Sequence, residues 1–510
     1  MNPEPPISDS SDSPQVLELK RQLYWAQLKI QVLEERLRLQ RIKKYGPASE
    51  KLSLGQLELL EEEPGVSQQE VKAESEREPL PPRQQPKREH KHPGRQQLPE
   101  DLPRKERVIP CAPEACQCKQ CGKPTQVIGY EVSEQLDVEP AQYVVLVTKR
   151  EKRACRCCQE GVATAVAPPR IIEKGLVSDR VVIDTVISKY CDHLPLYRQS
   201  AILERETGVE ISRATMDGWV MKVGQLLMPV AGAIGKELLE GGYIQADETP
   251  VDVQMHDGRG SNHQAYLWQY GRPGGSVVFD FQMGRGREGP KHFLGDFEGL
   301  LQTDGYAAYE KVGGPKMVHA MCWAHARRKF VEAHQVLREE TVAKDIVEVI
   351  DELFAIDAEA RKDNCDMAAR DRLRQARAPA LLESIKQKIE AARKQALPSS
   401  KLGQACAYTL GLWGKLKCFL DHPELELSNN LAENSMRPIA VGRKNWIHVG
   451  SAEAGPRVAA ILSVIETCRR LSVPVRGYLG TVLPGLADVC IQKVGELTPA
   501  AWSARSEPGQ

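Results

Sequence analysis

The chain has 510 residues, with 69 Lys plus Arg against 69 Asp plus Glu and a formal net charge of zero. At about 150 residues per domain, that length accommodates roughly three or four domains. A content of 41% apolar and 27% charged residues is that of a soluble protein with real cores, not of a disordered or fibrous chain. No apolar run approaches the ~18 residues of a membrane helix, and the polar, acidic start MNPEPPISDSSDSP is not a signal peptide. A cytoplasmic location with no membrane partner is therefore expected. The 14 Cys then read as thiols or metal ligands and not as a disulfide framework.

In chain order, residues 1–14 read as a disordered lead. Residues 15–43 form a helix with Val16, Leu19, Leu23, Ala26, Ile30, Leu33 and Leu37 spaced alternately by three and four. That is a heptad seam, which suits a short coiled coil making a homo-oligomer of at least two chains. The alternative is an amphipathic helix packed on the chain's own body. Residues 44–109 are a polar linker, rich in Pro, Gln and Glu, whose second half, PPRQQPKREHKHPGRQQ, is basic. Such a run either tracks DNA phosphates or is a solvated tether.

Residues 110–165 read as a zinc-binding domain. Cys118 and Cys121 form one CxxC pair, Cys155 and Cys158 another, with 33 residues between them. Each pair bends into a knuckle offering two thiolates, and two knuckles complete a tetrahedral, closed, structural Zn²⁺ site. The intervening segment alternates like strands. Cys111, Cys116 and Cys157 compete as ligands. Residues 166–235 read as helical and contain a helix-turn-helix candidate. Leu196, Ile202 and Leu203 lie on the first helix, Gly208 marks the turn, and Ser212 caps a second helix carrying Met216, Trp219, Val220 and Val223. Arg213 would stand at its leading end, over DNA. A plain αα-hairpin fits the same pattern.

From Gly241 the pattern turns to strands: GGYIQADETPVDVQ, QAYLWQYG, SVVFDFQM and, after a helical stretch, LLQTDGYAAY. Asp247 and Asp304 end two of these strands, and Glu433 opens a later helix in LSNNLAENSMRP. Two strand-end Asp and a helical Glu can hold two Mg²⁺, or Mn²⁺, for in-line displacement at phosphorus. Each has an ordinary alternative: Asp304-Gly305 as a turn, Glu433 as a capping-box partner of Asn430, and Glu248 in place of Asp247. Around Glu433 lie Arg437, Arg443, Lys444 and Trp446, basic residues interleaved with an aromatic as in nucleic-acid contacts. Arg327 and Arg328 follow Cys322-Trp-Ala-His325 in a second basic cluster.

Together these segments resemble bacterial transposases of insertion-sequence family sixty-six. The resemblance is carried by KKYGPASEKL at 43–52, the two CxxC pairs, ADETPV at 246–251, LQTDGYAAY at 301–309, CWAHARRKF at 322–330 and NNLAENSMRPIAVGRKNWIHVGS at 429–451. Tyr45 and Pro47 depart from the usual first block. The resemblance implies a multidomain α/β chain with a ribonuclease-H-like catalytic core at 236–470. A helical insertion at 331–412 interrupts that core, and a C-terminal helical segment and tail occupy 471–510. It implies an Asp-Asp-Glu triad of Asp247, Asp304 and Glu433, with His325 near the scissile phosphate. The implied partners are the ends of the element and target double-stranded DNA. Accessory proteins of the same element are further candidates, and a nucleoid-associated location follows. The rival expectations are a regulator that binds DNA without cleaving it and a structural dimeric zinc protein.

Overall fold

The computed structural model describes residues 14–45, 143–153, 163–255, 257–258, 261–336 and 341–506. The lead up to residue 13, the linker from residue 46 and all seven Cys between 110 and 160 lie outside the described residues. The Zn²⁺ candidates Cys118, Cys121, Cys155 and Cys158 are therefore among those outside. The chain divides into one unit of residues 1–80 with 148–510 and another of 81–147. Only 143–147 of the second are described, as exposed, irregular chain, and everything below concerns the first.

Helix α1 spans Pro14–Tyr45. Its seam faces solvent: Val16, Leu19, Leu23, Ile30, Leu33 and Leu37 are 39–64% exposed. The helix meets the body through another side. Glu35 is buried and accepts from Lys401 N at 3.2 Å, and Arg38 donates to the Val336 carbonyl at 3.3 Å. A short antiparallel pair, β1 (Lys152–Arg153) and β2 (Ala163–Thr164), follows.

Helices α2 (Asp179–Tyr190), α3 (Leu196–Thr207) and α4 (Arg213–Glu240) come next. Gly208 ends α3 in the left-handed region at φ +70°, where a side chain would be strained. The Ser212 hydroxyl caps α4 by accepting from Thr215 N at 3.1 Å. Leu196, Leu203, Met216, Trp219, Val220 and Val223 are buried as the pattern requires. However, α4 runs for 28 residues, and its inner face belongs to the main core. At Gly224 an added Cβ would stand 2.7 Å from Arg457 Cβ and 2.8 Å from its carbonyl oxygen, so a neighbouring helix passes at backbone distance. The leading turn of α4, with Arg213 and Thr215, is exposed, as is an outer face farther along the helix that includes Gln225, Met228 and Lys236.

The central sheet is mixed. All four segments read as strands are strands: β3 (Tyr243–Val253), β4 (His263–Gly271), β5 (Val277–Gln282) and β6 (Leu300–Thr303). Helix α5 (Glu288–Leu294) separates the last two. Two further strands, β7 (Val318–Met321) and β8 (His448–Val449), were not expected. The order is β5-β4-β3-β6-β7, with β8 also on β3. The β3–β4 and β4–β5 pairs are antiparallel, while β3–β6, β6–β7 and β3–β8 are parallel. The middle strand β3 buries residues on both faces, including Ile244, Ala246, Val251 and Val253.

After β7 come α6 (Trp323–Val336), α7 (Val342–Lys362), α8 (Met367–Gln395), α9 (Lys401–Gly411) and the single turn α10 (Trp413–Leu416). They share a second apolar core of Phe330, Ile346, Ile350, Phe354, Ile385 and Ile389 with their neighbours. Then follow α11 (Asn430–Trp446), α12 (Ala454–Arg470), α13 (Val475–Val482) and α14 (Pro499–Ser506). Helix α12 closes the exposed edge of the sheet. Ser463 and Thr467, one turn apart, accept from Phe279 N at 2.8 Å and Val277 N at 3.0 Å, and Thr467 donates back to the Val277 carbonyl at 2.8 Å. An edge strand with its outer N–H groups satisfied cannot recruit a foreign strand.

Candidate active site

Because β3 and β6 are parallel neighbours, their carboxyl ends leave the sheet on the same side. Asp304 comes directly after β6, but Asp247 does not end its strand as expected. Strand β3 runs on through Thr249 and Pro250 to Val253, and Asp247 lies within it, two residues beyond the Gln245–Gln302 pair just as Asp304 is. Alternation sends Asp247 and Glu248 to opposite faces. The Glu248 side chain is 2% exposed and is taken by Arg285, whose Nε and Nη2 reach its Oε1 at 3.0 and 2.6 Å, and by the Tyr309 hydroxyl at 3.0 Å. Arg285 in turn stacks 4.0 Å over the Tyr306 ring. Asp247 has a different environment. Burial first, then the charges of Glu433, Glu248 and Asp304, push its carboxyl well above the ordinary carboxylate range.

Asp304 is both a turn residue and a member of this cluster. Its Oδ1 accepts from Tyr306 N at 2.8 Å, and Gly305 sits at φ +91°. The Tyr408 hydroxyl, from α9, donates to the Asp304 carbonyl, and Lys329 Nζ lies 4.5 Å from the Tyr408 ring centre.

Glu433 stands in the first turn of α11. Arg328 Nη2 reaches its two oxygens at 3.3 and 3.1 Å, and His325 Nε2 lies 3.4 Å from Oε1. The capping-box alternative is not realised, since the N-cap is Asn429 and makes no side-chain cap bond. Burial, then the charge of Arg328, lowers the proton affinity of His325 against the opposing pull of Glu433. Its Nδ1 is buried without a hydrogen-bond partner. Cys322, one turn earlier, accepts from Asn429 N at 3.3 Å, and burial pushes its thiol up to about 12, so it is no ready thiolate ligand.

Helix α11 is tied to β3 beyond its first turn as well. Arg443 donates to the Pro250 carbonyl, and β8, directly after the helix, pairs with β3 through Asp252 and His448. The residues expected on DNA therefore divide. Arg327 is 3% exposed and braces α6 to α7 through Asp351, at 2.6 and 3.1 Å, which removes it from any DNA-facing surface. Arg443 is half-buried on its carbonyl. Trp446 is half-buried against the main core, with Lys189 Nζ 6.0 Å from its ring. Lys444 and Arg213 are exposed, and Arg328 and Arg437 are half-exposed. The residues that brace Glu248 and Asp304 were missed in the sequence: Arg285 and Tyr309 lie 37 and 61 positions from Glu248, and Tyr408 lies 104 from Asp304. No local spacing signals such pairs.

Among the described residues, no three His, Cys, Asp or Glu side chains are already gathered closely enough to hold a metal ion. In kind, the donor set suits a hard divalent cation: three carboxylates without sulfur, around a desolvated Asp whose crowding a cation would relieve. Glu433 would have to exchange Arg328 for the ion.

Residues 174–457 match the family described as Transposase IS66 family. The chain belongs to the IS66 family of transposases. Residues 115–159 of this transposase match the zinc-finger binding domain of transposase IS66, a span holding both CxxC pairs but not Cys111. Residues 32–107, which include most of the stretch read as a linker, match Transposase C of IS166 homeodomain. Two relatives in Sinorhizobium fredii, both described as uncharacterized, align along most of their length. Protein y4qI is 35% identical over 404 residues, covering 76% of this transposase and 73% of the relative. Protein y4jD is 30% identical over 424 residues, covering 80% and 82%. Among the described residues no helix is long and apolar enough to cross a membrane.

Proposed function

We propose that this transposase binds the terminal inverted repeats of its own element, cleaves at the element ends and joins the freed ends to target DNA. The observation that carries the reading is the convergence of Asp247, Asp304 and Glu433 from β3, β6 and α11, close enough for Glu433 and Asp304 to raise the proton affinity of Asp247. The strand order supports a ribonuclease-H-like core: three antiparallel strands, a helix, then two parallel strands on the far side of the first. Asp247, Asp304 and Glu433 would hold Mg²⁺ or Mn²⁺. Bound there, such ions lower the pKa of an attacking water or hydroxyl and neutralise charge on the phosphate and leaving oxygen.

In the first reaction, water attacks phosphorus at the element boundary. A P–O bond forms to the water oxygen and the P–O3′ bond breaks, leaving a 3′-hydroxyl on the element. In the second, that hydroxyl attacks a target phosphodiester, and the displaced target oxygen leaves as a new 3′-hydroxyl. Burial favours the neutral form of His325, whose Nε2 faces Glu433 Oε1 at 3.4 Å. Arg328 neutralises Glu433 until DNA and ions enter, and then has a phosphate as its alternative partner. Arg437, Lys444 and Arg213 supply backbone contacts. The two CxxC pairs would hold structural Zn²⁺ and join in recognising the ends.

The experiment is end cleavage of a labelled duplex carrying the inverted repeats that flank the gene, in Mg²⁺ and in Mn²⁺. Nicking at the repeat boundary by the wild type, absent in Asp304→Ala with binding retained, is the expected result. Binding without cleavage by the wild type in either metal would point to a regulator, and no binding to a structural zinc protein.

The solvent-facing seam of α1 is read as the dimer contact across two ends. Leu23→Glu with Ile30→Glu is expected to convert dimer to monomer in analytical ultracentrifugation while leaving the melting of the catalytic core unchanged. An unaltered dimer would place the contact elsewhere.

A further inference from the structure

A second concentration of buried charge lies in α7 and α8, away from the acidic pocket. The side chains of Asp357 and Arg374 are each 1% exposed. Arg374 donates from Nε and Nη2 to the Asp357 oxygens at 2.8 and 2.6 Å, and Arg370 adds a contact at 2.9 Å. Arg370 also grips both oxygens of Glu426, at 3.1 and 2.9 Å, where Arg361 joins it at 2.5 Å. Burial alone would raise both carboxyls. The Arg374 and Arg370 guanidiniums overcome it at Asp357, and Arg370 and Arg361 at Glu426, holding each below its ordinary range. Three guanidiniums face two carboxylates, and the excess positive charge is turned on the main chain. Arg374 donates to the carbonyls of Phe419, Pro423 and Leu425 at 3.2, 3.3 and 2.8 Å.

Those carbonyls and Glu426 belong to one segment, residues 418–429, the strap that leads into α11. The strap is also bonded to the sheet. Tyr243 Oη accepts from Glu426 N at 3.2 Å, Gln302 donates to the Glu426 carbonyl at 2.6 Å, and Gln245 donates to the Ser428 carbonyl at 3.0 Å. Gln245 and Gln302 each stand two residues before an Asp of the triad, and Glu433 stands seven after Glu426. The strap is thus clamped between the insertion helices and the two strands that carry Asp247 and Asp304.

We propose that the cluster of Asp357, Arg370, Arg374 and Glu426 is a positioning device, through which the insertion fixes the height and angle at which Glu433 meets Asp247 and Asp304. Apolar packing alone is non-directional and tolerates sliding. Paired guanidinium–carboxylate contacts fix distance and plane together, and a ~1 Å misplacement at a reacting centre costs about 100-fold in rate. The inference rests on reading Glu433 as the third carboxylate.

The test uses the full chain with Zn²⁺ bound. Arg374→Lys keeps the charge and loses the bidentate grip. A whole-cluster replacement (Asp357→Leu, Arg370→Met, Arg374→Leu, Glu426→Met) removes the charges together and serves where the single variant does not fold. Glu433→Gln is the control. The readouts are Mn²⁺ affinity, from the electron paramagnetic resonance of the free ion, and the Mn²⁺ concentration for half-maximal end cleavage. Binding of the ends and melting temperature are followed alongside. The expected result is normal end binding, Mn²⁺ affinity weaker by about ten-fold or more, and cleavage partly restored at high Mn²⁺. A cluster that only stabilises the fold would lower the melting temperature and leave Mn²⁺ affinity within two-fold of wild type, which overturns the proposal. If Glu433→Gln leaves Mn²⁺ affinity unchanged, the reading of Glu433 fails and the inference falls with it, independently of the cluster variants.

Discussion

Asp247→Asn is expected to abolish end cleavage and, in the same protein, to raise the melting temperature of the form free of Mg²⁺ and Mn²⁺. The first effect follows from losing one charged oxygen donor and should reach at least ~10³-fold, about 4 kcal/mol of transition-state stabilisation. The second follows from the environment of the carboxyl. Burial and three neighbouring acids hold its folded-state pKa above its unfolded value. Ionised, it therefore opposes folding. The penalty is absent below the unfolded value of about 4 and grows as pH rises from there toward the folded value. Asn removes the charge and keeps the shape. Melting of the Zn²⁺-loaded chain without added Mg²⁺ or Mn²⁺ should show a gain of about 0.5–2 kcal/mol at pH 7, the usual scale when a functional site is relieved of its strain, shrinking toward pH 4. A lower melting temperature at pH 7 would mean that the carboxylate is locally stabilised after all. Opposite signs in activity and stability separate a site arranged for a cation from one arranged for the fold.

The parts of this site that were legible in the sequence are those that rest on local pattern. Alternation in GGYIQADETPVDVQ and QAYLWQYG gave the central strands, and the break after Asp304 placed that residue at a strand end. Thr249 and Pro250 did not end β3, which runs on to Val253 with Asp247 inside it. Gly208 and Ser212 gave the turn between α3 and α4 because each acts on its own backbone. Strands β7 and β8 escaped: β8 is two residues long, and β7, four long like β6, lacks the Asp-Gly turn that marks the end of β6. The charges were harder. Arg327 and Arg328 are adjacent in a basic run, yet one is buried on Asp351 and the other reaches Glu433. Helical phase separates them, and the sequence of α6 does not say which phase faces the sheet. Glu248 and Asp247 were likewise indistinguishable until Arg285 and Tyr309 appeared beside one of them. Partners of this kind are set by topology, not by spacing.

The largest stability effect is expected in the insertion. Asp357→Leu takes from Arg374, whose side chain is 1% exposed, its carboxylate partner, while Arg370, 9% exposed, keeps Glu426 alone. Breaking one side of such a cluster costs about 3–5 kcal/mol, because the remaining charge keeps its desolvation penalty and loses its partner. The single variant should therefore melt well below wild type. The whole-cluster apolar replacement should melt close to it, since burying the charges together costs nearly what their attraction returns. Acid should reproduce the single variant. Asp357 and Glu426 have depressed pKa values in the folded chain. Their contribution is complete above the unfolded carboxylate value of about 4 and is lost as pH falls through the folded values. The replaced cluster should consequently lose less stability than wild type when urea melts at pH 7 and pH 3 are compared. Equal losses would mean that other carboxylates dominate the acid response. A cluster that can be exchanged for apolar residues at little cost in stability gives the fold no reason to contain it. What the charges supply in that case is direction, and the strap they direct ends at Glu433.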